Sequence, residues 1–166
     1  MFKKMQSPPV LAMENYQEHY SKATGFFKSA DHLMYVTFPV IKDVKLVTTI
    51  LDNIYFALVH GMDSVLEYER HHKRIMPLAN NFELRLDVFG NKVGGGYGFV
   101  KEEIDLIANV KKLRDDRKNA TMEFTRQGKF IICSEGYRMK TISIEEIKKY
   151  LSTTRSFLLK VDKAIK

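Results

Sequence analysis

The sequence predicts a mainly α protein, a four-helix up-and-down bundle with a small β-hairpin or meander inserted before the last helix. Three observations carry this. Four stretches repeat apolar residues every three or four positions, the spacing of a single helix face. The run 121–142 switches to short segments separated by glycine-bearing turns. The first two helical stretches are joined by so short a link that they must fold back on one another as an αα-hairpin.

In the first helix Ala12, Met13, Tyr16, Tyr20, Ala23, Phe27, Ala30, Met34 and Thr37 form one apolar stripe. Gly25 weakens it, and Pro39 ends it because its ring acts against a helical residue before it. After a link at 40–43, Val47, Ile50, Leu51, Ile54, Leu58, Met62 and Val65 line the second helix, which runs out in the polar series Glu67 to Arg74. Residues 75–98 are open between two readings. Phe82, Leu84, Leu86, Val88 and Phe89 alternate as a strand would, and a short helix is equally compatible. The glycine-rich stretch at about 90–98, containing VGGGYGF, reads as a flexible connection. No Lys-Ser/Thr follows its glycines, so it is not a phosphate-cradling loop.

A third helix is expected from about Val100 to Lys118, with Ile104, Ile107, Val110, Leu113 and Arg117 near one face. Residues 121–126, 129–134 and 137–142 read as three short strands, turned at Gln127-Gly128 and Glu135-Gly136, where glycine supplies the positive φ of a tight hairpin. Such a meander needs helices to pack on. The last helix opens at SIEE, where Ser143 and Glu146 form a capping box, and Ile144, Ile147, Leu151, Thr154, Leu158, Val161 and Ile165 line its face. No repeat or low-complexity tract divides the chain, so residues 1–166 form one domain.

The composition, 45% hydrophobic and 28% charged, belongs to a globular chain. Cys133 stands alone, so no intrachain disulfide forms and a reducing, cytoplasmic setting is expected. MFKKMQSPPV lacks the apolar core of a secretory signal. The most apolar stretch, Leu46 to Met62, is broken by Asp52, Asn53 and His60, which excludes a membrane span and any membrane partner. The net charge of +7 suits an acidic partner such as RNA without requiring one.

Candidate chemistry is sparse. Cys133 lies in KFIICSE, a strand pattern in which a thiol acts as a small hydrophobe. Glu69 and His72 have a Glu-x-x-His spacing found in di-iron bundles, but a single copy is one part of a four-part pattern, so no metal or other cofactor is expected. His60 reads as a satisfied core histidine. Asp52, set among Ile50, Leu51 and Ile54, must point outward or find a cation, and an Arg of the third helix is the natural partner. That helix ends in KKLRDDRKNA, residues 111–120, whose five cations suit the negative pole of its dipole.

LRDDRKNA, with Arg114, polar Asp115 and a short spacer, resembles the end of the third helix in the HEPN superfamily (higher eukaryotes and prokaryotes nucleotide-binding domains). The helical hairpin before it and the β-turns leading into the last helix also look similar, over about residues 12–165. The resemblance implies a four-helix bundle, a homodimer and, in many members, metal-independent RNA cleavage by two motif copies in one cleft. It implies that Arg114 holds phosphate and Asp115 orients it. Asn119 stands where the family carries His. An amide does not titrate near neutral pH, and proton transfer by a positioned group contributes roughly 10²–10⁴-fold in rate. The expectation is therefore a catalytically degenerate binder with no catalytic residue. Lys111, Arg114, Arg117, Lys118 and Asn119 would contact RNA or a nucleotide, and an antitoxin or nucleotidyltransferase-type partner is compatible. Two alternatives stand beside it. One is an active ribonuclease drawing its acid–base group from His60, His71, His72 or Tyr97. The other is a structural dimer in which Arg114 and Asp115 pair between subunits.

Overall fold

The computed structural model describes residues 8–136 and 138–166, with side chains from Asn15 onward. The segment MFKKMQS, on which the signal-peptide expectation partly rests, lies outside the described residues, as does Tyr137, the expected first residue of the third strand. The described residues are mainly helical, with a three-stranded antiparallel sheet before the last helix, and among them are five α-helices where four were expected. They are α1 (Pro8–His32), α2 (Val44–His71), α3 (Phe82–Val88), α4 (Lys101–Lys118) and α5 (Ile144–Ala164), with strands β1 (Ala120–Arg126), β2 (Lys129–Ser134) and β3 (Arg138–Ser143) between α4 and α5.

The predicted stripes bury. All seven α2 stripe residues are buried, as are Ile147, Leu151, Thr154, Leu158 and Val161 of α5. On α1, Tyr16, Ala23 and Ala30 are buried, as is Met34 just past its end, while the side chains of Ala12 and Met13 lie outside those described. α1 and α2 are antiparallel, since Tyr16 meets Ser64, His19 meets His60 and Phe26 meets Phe56. α4 runs against α2 and α5, with Arg117 reaching Thr48 at one end and Glu103 meeting Lys160 at the other.

Two local expectations are corrected. The residue before Pro39 stays helical, Phe38 having φ −60° and ψ −38°, and the chain stops because Pro39 has no N–H to donate. α1 first widens into a π-turn at Leu33–Thr37, with the Phe38 amide donating to Leu33 O at 2.8 Å. Of the two readings open at 82–89, the short helix is the one observed, and the glycine-rich stretch expected as a flexible connection is instead wound into helical turns. Asn81 caps α3 by accepting the Leu84 amide at 2.8 Å, and a π-turn (Phe89–Val93) and a 3-10 turn (Gly94–Tyr97) follow. Buried Phe89, Val93 and Phe99 anchor these turns, and at Gly94 a Cβ would lie 2.9 Å from the Phe89 carbonyl oxygen. The sheet presents Phe130, Ile132 and Ile142 to the helices. Its first turn carries positive φ at both Gln127 (50°) and Gly128 (74°), the geometry that matches strand twist.

Candidate functional site at the end of the fourth helix

α4 ends where α2 begins and where the sheet starts, so the KKLRDDRKNA run projects in two directions. On the α2 side, Arg117 donates through Nη1 to Asp52 Oδ1 at 2.9 Å and through Nε to Glu123 of β1 at 3.4 Å. Arg114 donates to the same Asp52 oxygen at 3.4 Å, and its guanidinium lies 4.8 Å from the ring centres of both Tyr55 and Phe56. The Asp52 partner expected from the third helix is thus two arginines. Lys111 pairs with Asp115, its own helical neighbour, at 2.8 Å, and sits over the Phe82 ring. Asp115 therefore serves Lys111 within the helix. On this side three cations face three carboxylates, Asp52, Glu123 and Asp115.

The opposite side has a different balance. A cleft of about 950 Å³ opens between the α4 end and the β2–β3 turn. It is lined by Lys112, Lys118, Arg138 and Lys140, with Asp116 and Glu135 as the acidic members and Asn119 beside them. Lys140 reaches Asp116 at 3.6 Å, whereas Lys112 and Lys118 make no ion pair among the described residues. Asn119 is the C-cap of α4; its side-chain amide donates to Asp115 O at 3.4 Å. Of the predicted site residues, then, Lys118 and Asn119 share one concavity and Lys111, Arg114 and Arg117 turn toward the packed side. Sequence reasoning missed Lys112, Arg138 and Lys140. Lys112 stood in the highlighted run, but only the folding back of β3 brings the other two to it.

The proposed acid–base groups lie elsewhere. Glu69 is buried and accepts the Tyr97 hydroxyl and Arg74 (3.1 Å). Burial first, and the Glu69 carboxylate second, push the Tyr97 phenol up to about 12. His72 is exposed, its Nδ1 on Tyr68 O at 2.9 Å, and does not join Glu69 as a ligand pair. At 1.5 Å rise per residue, Glu69 and His71 stand about 25–30 Å along α2 from Asp52. His60 is half-buried, with its Nδ1 3.1 Å from that of His19 on α1. Cys133 is half-buried on β2.

No protein-family model, functionally described protein or solved structure matches this chain. Fold and site together define a mainly helical protein with a small antiparallel sheet, carrying a basic cleft where helix and sheet meet. No described helix is long and apolar enough to cross a membrane.

Proposed function

We propose that this protein is a catalytically degenerate HEPN-like four-helix bundle that works as a homodimer and binds RNA or a nucleotide in the cleft between the α4 end and the sheet. The observation that carries the reading is that cleft, with four cations against two carboxylates and Asn119 as a neutral hydrogen-bonding group. Phosphate contacts need cations not already held by carboxylates, and Lys112 and Lys118 satisfy this better than Arg114 and Arg117. The net charge of +7 points the same way. Homodimerisation rests on the resemblance alone.

The test is fluorescence anisotropy with a labelled single-stranded RNA across a salt series. Binding weakens with salt, and Lys112→Ala with Lys118→Ala lowers the magnitude of the log–log slope by roughly 0.7 for each lost phosphate contact. Binding that ignores salt, or that is unchanged in this double variant, ends the proposal.

A second reading is favoured by the Asp52 pairing itself: the Arg motif holds α4 to α2 and β1 within one chain, as a structural device. It predicts that Arg114→Ala and Arg117→Ala lower stability with RNA affinity unchanged. An active ribonuclease is not proposed, since within one chain Tyr97, His71 and His72 lie at the far end of α2, and His60, about 12 Å along α2 from Asp52, has its Nδ1 against that of His19.

A further inference from the structure

Away from the α4 terminus, three metal-ligating side chains converge across the α1–α2 hairpin. His19 of α1 and His60 and Asp63 of α2 bring their ligand atoms within 4.8 Å of one another. His60 and Asp63 are three residues apart, so one helical turn sets both on one side of α2, and antiparallel packing carries His19 to them. The two Nδ1 atoms are 3.1 Å apart. Two nitrogens each about 2.0–2.1 Å from a tetrahedral zinc are separated by roughly 3.3 Å, so the pair is spaced for one ion with almost no movement of the helices.

The surroundings hold this geometry. Phe26 stacks on His60 with ring centres 5.7 Å apart and planes inclined by 3°, which fixes the plane of the imidazole. Asp63 is 5% exposed, and its Oδ1 is held by the Arg85 guanidinium in an ion pair at 2.5 Å. A guanidinium on one carboxylate oxygen orients the group and leaves the other oxygen for a metal, a common outer partner of a ligating carboxylate. The flanking charges on His19 are mixed, Arg85 and Lys22 against Glu67 and Glu18.

We propose that the α1–α2 hairpin binds a divalent first-row transition metal of the zinc class through His19 Nδ1, His60 Nδ1 and the Asp63 carboxylate, with a fourth position left to water or another ligand. Two imidazoles and one carboxylate suit such ions and disfavour magnesium and calcium, which prefer oxygen donors. The ion would clamp two helices whose ligands are 41 residues apart in sequence.

The test uses the full chain, stripped with chelator and titrated with Zn²⁺ and with Mg²⁺ by calorimetry, with Co²⁺ as a spectroscopic probe. One Zn²⁺ per chain binds, Mg²⁺ does not compete, thermal unfolding shifts upward, and Co²⁺ gives the intense visible absorption of a four-coordinate ion. His19→Gln and His60→Gln each weaken Zn²⁺ binding by about tenfold or more, as loss of a ligand requires. His71→Ala with His72→Ala leaves it intact. The proposal is overturned by absence of one-to-one Zn²⁺ binding to the wild-type chain. It is overturned equally if binding survives His19→Gln combined with His60→Gln, or is lost in the His71/His72 variant. The wild-type stoichiometry and Co²⁺ spectrum decide even where a variant folds poorly, and neither depends on RNA binding.

Discussion

Arg117 of α4 donates to Asp52 of α2 across 2.9 Å while its Nε reaches Glu123 of β1 at 3.4 Å, so one side chain joins two helices and the first strand. Its side chain is only 14% exposed and is the most enclosed cation of the α4 terminus. A long cation so placed acts first on where α4 and β1 sit, and only through that on the cleft behind them.

Arg117→Ala therefore destabilises the fold by about 1–2 kcal/mol, below the cost of breaking a fully buried pair because Asp52 keeps Arg114 and remains partly solvated. Arg114→Ala costs less, about 0.5–1 kcal/mol, chiefly from its place over Tyr55 and Phe56. Urea unfolding of both variants and of Asp52→Ala checks the order. Equal losses for the two arginines would contradict the geometry.

Gly61 lies inside α2, where glycine ordinarily costs about 1 kcal/mol relative to alanine. Here a Cβ would stand 2.6 Å from Phe157 Cε2 and 3.1 Å from Leu158 Cδ2 of α5. Phe157 is fully buried and has no room to swing aside. The overpacking cost of about 1–3 kcal/mol exceeds the propensity gain, so Gly61→Ala lowers the denaturation midpoint. A rise in midpoint would show that α2 and α5 are not in this close approach.

Much of the fold was legible because burial needs a periodic stripe. Every α2 stripe residue from Val47 to Val65 is buried, and the glycine turns fall where the sequence places them. The short α3 was not legible. Its alternation at 82–89 fits seven helical residues as well as a strand, and what decides is the Asn81 cap and the burial of Phe89 and Val93 by distant helices. The glycines at 94–98 mislead in the same way: Gly94 is required by a close approach to Phe89, a tertiary fact. At the site, spacing identified Asp52 and its arginine partners, since an isolated carboxylate in an apolar stripe demands a cation. It could not divide the cations of 111–118 between a paired side and an open cleft, because that depends on where β3 returns. The His19–His60–Asp63 cluster was hidden for the same reason, its ligands being split between two helices.

Ser143 caps α5 as the SIEE pattern foretells. Its hydroxyl accepts the Glu146 amide at 3.0 Å, and the Glu146 carboxylate accepts the Ser143 amide at 3.2 Å. The site is partly solvated, so Ser143→Ala costs about 1 kcal/mol, in the ordinary range for a lost N-cap. Ser143→Asp restores most of it, because a carboxylate there also favours the positive helix pole. Thermal unfolding of the two variants reads the difference, and an aspartate no better than alanine would count against the cap.

Tyr97 fixes the turn ahead of α4 to the far end of α2 through Glu69, and this contact carries a definite pH signature. The phenol is raised from 10.0 to about 12 by burial and by the adjacent carboxylate, so the folded state holds the phenolic proton more tightly than the unfolded state does. The stabilisation is fully present below pH 10 and is lost as pH rises from about 10 toward 12, the window in which only the unfolded chain ionises. Tyr97→Phe has no such proton to hold and leaves Glu69 with Arg74 alone. The variant is less stable than the wild type at pH 8, and the gap narrows steadily between pH 10 and 12. Tyr20 and Tyr150 are also raised and remain in both proteins, so the difference between the two curves isolates Tyr97. Urea midpoints at four or five pH values suffice, and a gap that stays constant or widens with alkalinity would remove the Tyr97–Glu69 bond from the account.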